Sequence, residues 1–194
     1  MLQGNPELGD RFGTALVAGF FNADQGDLAV GAPGEDVGSA GGAGAVSVFS
    51  GTPGGLPTSS RVVLQANSEV GDQFGSALAA GFFDTGPSDL AIGAPFEDLG
   101  GATDAGAVNV VYGSNTGLVG RNQTLTQDSP GVVGTAEPGD LFGVALARGI
   151  FLNNFNGDGF ADLAIGAAGE DVGAATDAGA VNVQYGSSTG LPGP

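Results

Sequence analysis

The chain has 194 residues, with 21 acidic residues against four arginines and a net charge of −17 at neutral pH. This charge argues against nucleic acid as a partner, because phosphates need basic contacts, and against anionic membrane surfaces. It favours cation binding or high solubility. The chain has no Cys, His or Lys, so it has no thiolate chemistry and no evident general base for Ser or Thr.

No apolar run approaches the length of a membrane span, so we expect no membrane insertion. The first residues, MLQGNPELGD, have neither a basic region nor an apolar stretch, and we expect no signal peptide within this chain.

The chain carries the same elements three times in order, which is the signature of a repeat architecture. The units begin with GDRFGTALVAGFF (9–21), GDQFGSALAAGFF (71–83) and GDLFGVALARGIF (139–151). Each continues with DLAVGAPGEDVG (27–38), DLAIGAPFEDLG (89–100) or DLAIGAAGEDVG (162–173). Each then reaches GAVSVFSG (44–51), GAVNVVYG (106–113) or GAVNVQYG (179–186).

The apolar runs are short, bounded by Gly, Asp and Pro, and lack a helical period, which predicts strands. A fourth run, RVVLQAN (61–67) or NQTLTQD (122–128), closes the first two units. We therefore predict an all-β protein, a β-propeller made of three four-stranded antiparallel blades within a single segment, 1–194. The blade repeats are approximately 10–67, 72–128 and 140–194 plus 1–4.

The alignment of LQGNPELGDRFG (2–13) with LQANSEVGDQFG (64–75) suggests how the third blade is completed. The third unit lacks a fourth run, and residues 1–4 match the end of one. We predict that this N-terminal stub completes the third blade, supplied by a second chain. Because propellers usually have four to eight blades, the prediction is a six-bladed homodimer, and the alternative is a fragment of a longer propeller.

These motifs carry a family resemblance. The FG element (Phe12-Gly13, Phe74-Gly75, Phe142-Gly143), DLA(V/I)GAP and the following GAV resemble the FG-GAP repeat of integrin alpha-subunit propellers and their bacterial relatives. The third unit departs, with Gly166-Ala167-Ala168 in place of GAP. The resemblance implies a propeller, seven-bladed in integrins, with Ca²⁺ bound in the loop between the first two strands of some blades. Its members mostly bind partners or support adhesion.

The stretch NNFNGDGFADLAIG (153–166) matches the family's calcium loop, D-x-(D/N)-x-(D/N)-G-x-x-D, except at its first position. Hard Ca²⁺ takes oxygen ligands from such alternating positions. The candidate ligands are Asn154, Asn156, Asp158, the carbonyl of Phe160, and Asp162. With two formal charges, the expected dissociation constant is about 10⁻⁴–10⁻³ M. The alternative is a polar turn that needs no ion.

The equivalent loops of the first two units are shorter, and we expect them to bind metal weakly or not at all. Their candidate ligands are Asn22, Asp24 and Asp27 in the first loop, and Asp84 and Asp89 in the second.

A pair of acids recurs in every unit: Glu35 and Asp36, Glu97 and Asp98, Glu170 and Asp171. Paired carboxylates could serve glycoside hydrolysis or hold a second cation. A catalytic acid and base differ in environment, whereas these pairs are repeated. Repetition favours a structural role in turns, with a second cation as the alternative.

The sequence therefore predicts a non-enzymatic, calcium-binding FG-GAP propeller module that is structural or partner-binding, outside the cell or at its surface. The predicted partners are a second copy of the chain and a protein or glycan ligand. The competing hypothesis is a carbohydrate-binding or carbohydrate-active propeller that uses the acidic loops. The chain has no Trp, the side chain on which sugars commonly stack, and this counts against the competing hypothesis.

Overall fold

The computed structural model describes residues 3–22, 24–118, 121–149 and 154–192. Within these ranges all regular structure is β-strand. The described residues include no helix that could cross a membrane. The strands are β1 (Leu16–Gly19), β2 (Asp27–Ala32), β3 (Ala45–Phe49), β4 (Arg61–Val63), β5 (Ala77–Gly81), β6 (Asp89–Ala94), β7 (Ala107–Val111), β8 (Asn122–Leu125), β9 (Phe142–Arg148), β10 (Leu163–Ala167) and β11 (Ala180–Gln184).

The strands form three antiparallel sheets in chain order. Sheet 1 is β1-β2-β3-β4, sheet 2 is β5-β6-β7-β8 and sheet 3 is β9-β10-β11. The predicted all-β, propeller-like fold is confirmed. Sheet 3 has three strands in the described part of the chain. Met1 and Leu2 of the predicted stub lie outside the described residues, and Gln3 and Gly4 belong to no strand. Completion of sheet 3 by a second chain stays a prediction.

Strand β6, in the centre of sheet 2, is buried on both faces because a sheet packs on each side of it. In β6, Leu90 and Ile92 belong to one core cluster, whereas Ala91, between them, belongs to the other. Successive side chains of a strand point to opposite faces, so these two clusters lie on opposite sides of sheet 2. This is why DLAIGA of β6 is apolar after its first residue and does not alternate with polar residues.

The two core clusters join the sheets in sequence. One contains Val46 and Val48 of sheet 1 with Leu90 and Ile92 of sheet 2. The other joins sheet 2 to sheet 3, through Val108 and Val110 of β7 with Leu163 and Ile165 of β10. The first strands of the sheets, β1, β5 and β9, contact one another in the same succession.

The second and third FG turns lie between the sheets. Phe74 and Phe142 are fully buried, and each belongs to the cluster that joins its own sheet to the preceding one. The backbone N–H of Phe74 donates to the carbonyl of Ala43 at 2.9 Å, and that of Phe142 donates to Ala105 at 2.9 Å. These two FG turns are therefore anchored by their rings and by their backbones to the sheet before them.

The fourth strands are shorter than the fourth runs, 61–67 and 122–128, that predicted them. β4 ends at Val63 and β8 at Leu125, whereas the runs extend to 67 and 128. The remaining residues leave the sheet edge, and Gln65 and Gln127 instead contact Glu97 and Glu170 of the following sheet. The prediction was too long because these segments connect one sheet to the next.

Candidate functional site

The loop that enters β10 brings most of the predicted calcium ligands together. The Asp158 carboxylate lies at its centre: its Oδ1 accepts the backbone N–H of Phe160 at 2.9 Å and the Asn154 amide at 3.0 Å. Its Oδ2 accepts the Asn156 amide at 2.8 Å. The Asn154 amide also donates to the Phe160 carbonyl. Four of the five candidates therefore form one network of hydrogen bonds.

Asp158 keeps its charge readily in this setting. The N–H of Phe160 and, after it, the amides of Asn156 and Asn154 hold the pKa of Asp158 below its ordinary value of 3.8. Hydrogen bonds to the ionised form stabilise that form. The loop consequently presents an exposed carboxylate that is already ordered by its neighbours, as a cation ligand needs to be.

Asp162, the fifth candidate, holds the loop to the sheet. It is fully buried, and its Oδ2 accepts the N–H of Phe155 at 2.8 Å while its Oδ1 accepts the N–H of Gly186 at 3.1 Å. Asp27 and Asp89 are equally buried and accept equivalent pairs of backbone N–H groups in sheets 1 and 2. This position therefore ties the loop before the second strand to the end of the third strand in every sheet.

The donor set fits a hard cation. It consists of carboxylate, amide and carbonyl oxygens, which Ca²⁺ prefers. Asp158 Oδ1 and the Phe160 carbonyl both face the Asn154 amide nitrogen. Turning that amide over would direct a third oxygen to the same point and would break the hydrogen bond that Asn154 Oδ1 accepts from the Gly157 N–H. Among the described residues no three Asp, Glu, His or Cys side chains form a metal cluster, so any site here depends on the amides and the carbonyl.

The two shorter loops are organised differently. In the first, the backbone N–H of Asp24 donates to the Asn22 side chain at 3.3 Å. In the second, Asp84 Oδ1 accepts the N–H of Gly86 at 2.6 Å. Burial raises the pKa of Asp89 to about 7, against the opposing hydrogen bond from the Gly113 N–H. Within the described residues, Asn22, Asp27, Asp84 and Asp89 accept backbone N–H groups, and no three acidic side chains of these loops form a cluster that could hold a metal.

The aspartates of the repeated acid pairs close a tight loop in each sheet. Asp36, Asp98 and Asp171 accept the N–H of the residue six positions later, at 2.8, 2.9 and 2.8 Å. Those later residues are Gly42, Asp104 and Asp177, whose φ angles of +64°, +54° and +52° are left-handed. Gly and Asp tolerate this conformation better than most residues.

The glutamates of these pairs accept an amide from a glutamine that precedes the sheet. Gln3, Gln65 and Gln127 donate to Glu35, Glu97 and Glu170 respectively. These contacts were not predicted from the sequence, although the three glutamines recur at a constant spacing of 62 residues. Burial, and then the charge of Asp72, raise the pKa of Glu97 to about 7.

A polar groove of about 540 Å³ lies beside β8 and the end of sheet 3. Its walls include Arg121, Gln123, Thr189 and the ring of Tyr185, which is half exposed. The Arg121 guanidinium stacks 4.1 Å from the ring centre of Tyr112. The groove combines hydrogen-bonding groups with one accessible aromatic ring.

Comparison with known proteins gives one family match, the FG-GAP repeat, over residues 152–183. Integrin alpha-PS5 of Drosophila melanogaster is 35% identical over 173 residues, covering 85% of this chain and 16% of the integrin. Integrin alpha-PS3 of the same organism is 32% identical over 165 residues, covering 83% of this chain and 14% of that protein.

Phosphatidylinositol-glycan-specific phospholipase D of Rattus norvegicus is 38% identical over 105 residues. This match covers 54% of the chain and 12% of the phospholipase. The chain thus spans between 12% and 16% of the length of these three relatives.

Proposed function

The chain is an FG-GAP repeat domain of the integrin-like kind, and we propose that it is a non-enzymatic, calcium-binding propeller module that binds a partner outside the cell or at its surface. The observation that carries the proposal is the convergence of Asp158, Asn154 and the Phe160 carbonyl in the loop before β10. The family match covers this same loop.

Calcium is the proposed ion because all the available ligands are oxygens and two of them are amides. A site with only two carboxylates binds Ca²⁺ at about 10⁻⁴–10⁻³ M, a range typical of extracellular modules that work in millimolar calcium. That affinity and the similarity to integrin alpha chains support a location outside the cell. When bound, the ion would neutralise the loop's carboxylates and hold the loop to the sheet.

A binding role without catalysis is supported by how the repeated acids are used. Asp36, Asp98 and Asp171 accept backbone N–H groups in the same way in every sheet. Glu35, Glu97 and Glu170 likewise accept a glutamine amide in every sheet, so both acids of each pair have a structural role. The phospholipase relatives match about half of this chain and 12% of their own length, so their named activity is not proposed for this domain.

Calorimetric titration with Ca²⁺ tests the proposal. We expect binding at about 10⁻⁴–10⁻³ M for the native chain and its loss in Asp158→Ala. The matched control is Asp128→Ala, which removes an exposed carboxylate outside the loop and should bind as the native chain does. Equal calcium binding by native chain and Asp158→Ala would refute the site.

Glycan binding is a second candidate function, favoured by the groove beside β8. Tyr185 supplies a surface for a sugar ring, and Arg121 and Gln123 supply hydrogen-bonding groups. A glycan array should then show signals that Tyr185→Ala abolishes. An array without signal would leave a protein as the proposed partner.

A further inference from the structure

The outer face of sheet 3 carries apolar residues whose equivalents in the other sheets are buried. Val181 occupies the position held by Val46 in sheet 1 and Val108 in sheet 2. Val46 and Val108 are 0% exposed because the next sheet covers them, whereas Val181 is 71% exposed. Sheet 3 therefore presents the surface onto which a following sheet packs in the rest of the molecule.

The opposite end of the molecule presents the matching surface. Leu16 is 62% exposed, whereas Leu78 and Leu146 at the same position pack into the cores between sheets. Phe12 is only partly buried, although Phe74 and Phe142 of the other FG turns are fully buried. Sheet 1 thus has a free FG turn with nothing before it in the described chain.

The backbone groups at the two ends are complementary. At the inner junctions, N–H groups of residues 71, 73 and 74 donate to carbonyls 41, 42 and 43, and those of 139, 141 and 142 donate to 103, 104 and 105. The equivalent donors are the N–H groups of Gly9, Arg11 and Phe12. The equivalent acceptors are the carbonyls of Thr176, Asp177 and Ala178. Within the described residues, none of these six groups has a hydrogen-bond partner.

The positions of glycines also indicate where an FG turn contacts the preceding sheet. A Cβ placed on Gly31 or Gly93 would lie 2.0 or 2.1 Å from the carbonyl oxygen of the next FG turn. Gly166 occupies this position in sheet 3, and a Cβ there would meet only Ala145 of the neighbouring strand, at 3.5 Å or more. Gly166 lacks a side chain at a position where the chain's own contacts do not require glycine.

The charges of the FG turn of sheet 1 and of the outer face of sheet 3 are also complementary. At the inner junctions the N–H of Gln73 donates to the carbonyl of Gly42, and the N–H of Leu141 donates to the carbonyl of Asp104. At the free ends the equivalent pair is Arg11 with Asp177. When the two ends meet, Arg11 would lie opposite Asp177, and opposite charges favour this pairing over a random contact. The Arg11 guanidinium also donates to Gln73 Oε1 of its own chain at 2.9 Å.

We infer that these two faces bind each other between two copies of the chain, an inference that rests on the propeller architecture of the proposed function. The Phe12-Gly13 turn of one copy enters the groove of about 460 Å³ on sheet 3 of the other, between Gly166, Ala178 and Val181. The reciprocal contact closes a ring of six sheets. The contact repeats the junctions within the chain, so it needs no new kind of packing.

Light scattering of the full chain, and of Gly166→Ala, tests the inference. The native chain should have twice its 18.7 kDa mass. Gly166→Ala should fold, because its methyl group fits the free chain, and should dimerise about a hundredfold more weakly, because an added methyl in a tight contact forces the backbones apart. Gly101→Ala is the matched control, since a Cβ there meets nothing within 4 Å, and it should dimerise normally.

A native chain that stays monomeric, or a Gly166→Ala variant that dimerises normally, would overturn the inference. Growth into open-ended assemblies would overturn closure into a two-chain ring. Circular dichroism and thermal unfolding establish that Gly166→Ala is folded. Calcium titration of this variant separates the two proposals, because the loop at Asp158 should bind Ca²⁺ whether or not the chain dimerises.

Discussion

Gly31 and Gly75 meet backbone to backbone across the junction of sheets 1 and 2. A Cβ on Gly31 would lie 2.0 Å from the Gly75 carbonyl oxygen, and a Cβ on Gly93 would lie 2.1 Å from that of Gly143. Real Cβ atoms do not approach so closely, so these positions accept only glycine without movement of the backbone. The FG and GAP elements recur together because they are the two sides of one interface.

Gly93→Ala should therefore destabilise the fold. The added methyl group would have to displace the backbone of Gly143, and overpacking of a buried contact costs about 1–3 kcal/mol or more. Urea unfolding measures the loss, and Gly101→Ala is the control with the same chemical change in open space. A Gly93→Ala variant as stable as Gly101→Ala would contradict the tight junction.

Glu97 should make stability depend on pH. Its pKa rises on folding from an ordinary value of 4.5 to about 7, so the folded state holds a proton that the unfolded state releases. Stability from this group is fully present below pH 4.5 and is lost as the pH rises to about 7. In its protonated form Glu97 could also donate to Gln65 Oε1, a buried atom without a partner.

The prediction for Glu97→Gln is a smaller loss of unfolding free energy between pH 4.5 and 7, measured by denaturant titrations across that range. Some dependence should remain, because the pKa of Asp89 is also raised to about 7. Glu137→Gln changes an exposed carboxylate and should leave the profile as in the native chain. An unchanged slope in Glu97→Gln would show that this carboxyl does not titrate in that window.

Calcium should stabilise the domain modestly. A ligand that binds only the folded state adds RT ln(1 + [L]/Kd) to the unfolding free energy. At about 10 mM Ca²⁺ and a dissociation constant of about 10⁻⁴–10⁻³ M, this amounts to about 1.4–2.7 kcal/mol. Thermal unfolding with calcium or with chelator should show the difference in the native chain and not in Asp158→Ala. Equal shifts in both would place the ion elsewhere.

Much of the fold follows from the sequence because the repeats place equivalent residues in equivalent environments. The runs DLAVGA and DLAIGA predict central strands, and the third unit's missing fourth run agrees with the three strands that sheet 3 has among the described residues. The shortness of β4 was not predictable, because Gln65 leaves the sheet to reach Glu97, a contact 32 residues away. The pattern of apolar residues along the sequence does not indicate which distant residue Gln65 will contact.

The candidate site was predictable in its residues but not in its arrangement. The spacing of Asn154, Asn156 and Asp158 indicated a cation loop. It did not indicate that Asp162 would give both oxygens to backbone N–H groups of Phe155 and Gly186. That double role depends on the loop's position against the end of β11, which only the packing of the sheet determines.

The most direct test of the proposed function is a crystal structure of the full chain grown in millimolar CaCl₂. We expect density for an ion about 2.3–2.6 Å from the Asp158 carboxylate and the Phe160 carbonyl, with the Asn154 amide oxygen turned toward it. An Asn154 amide that still donates to Phe160 and Asp158, with no ion in the loop, would contradict it.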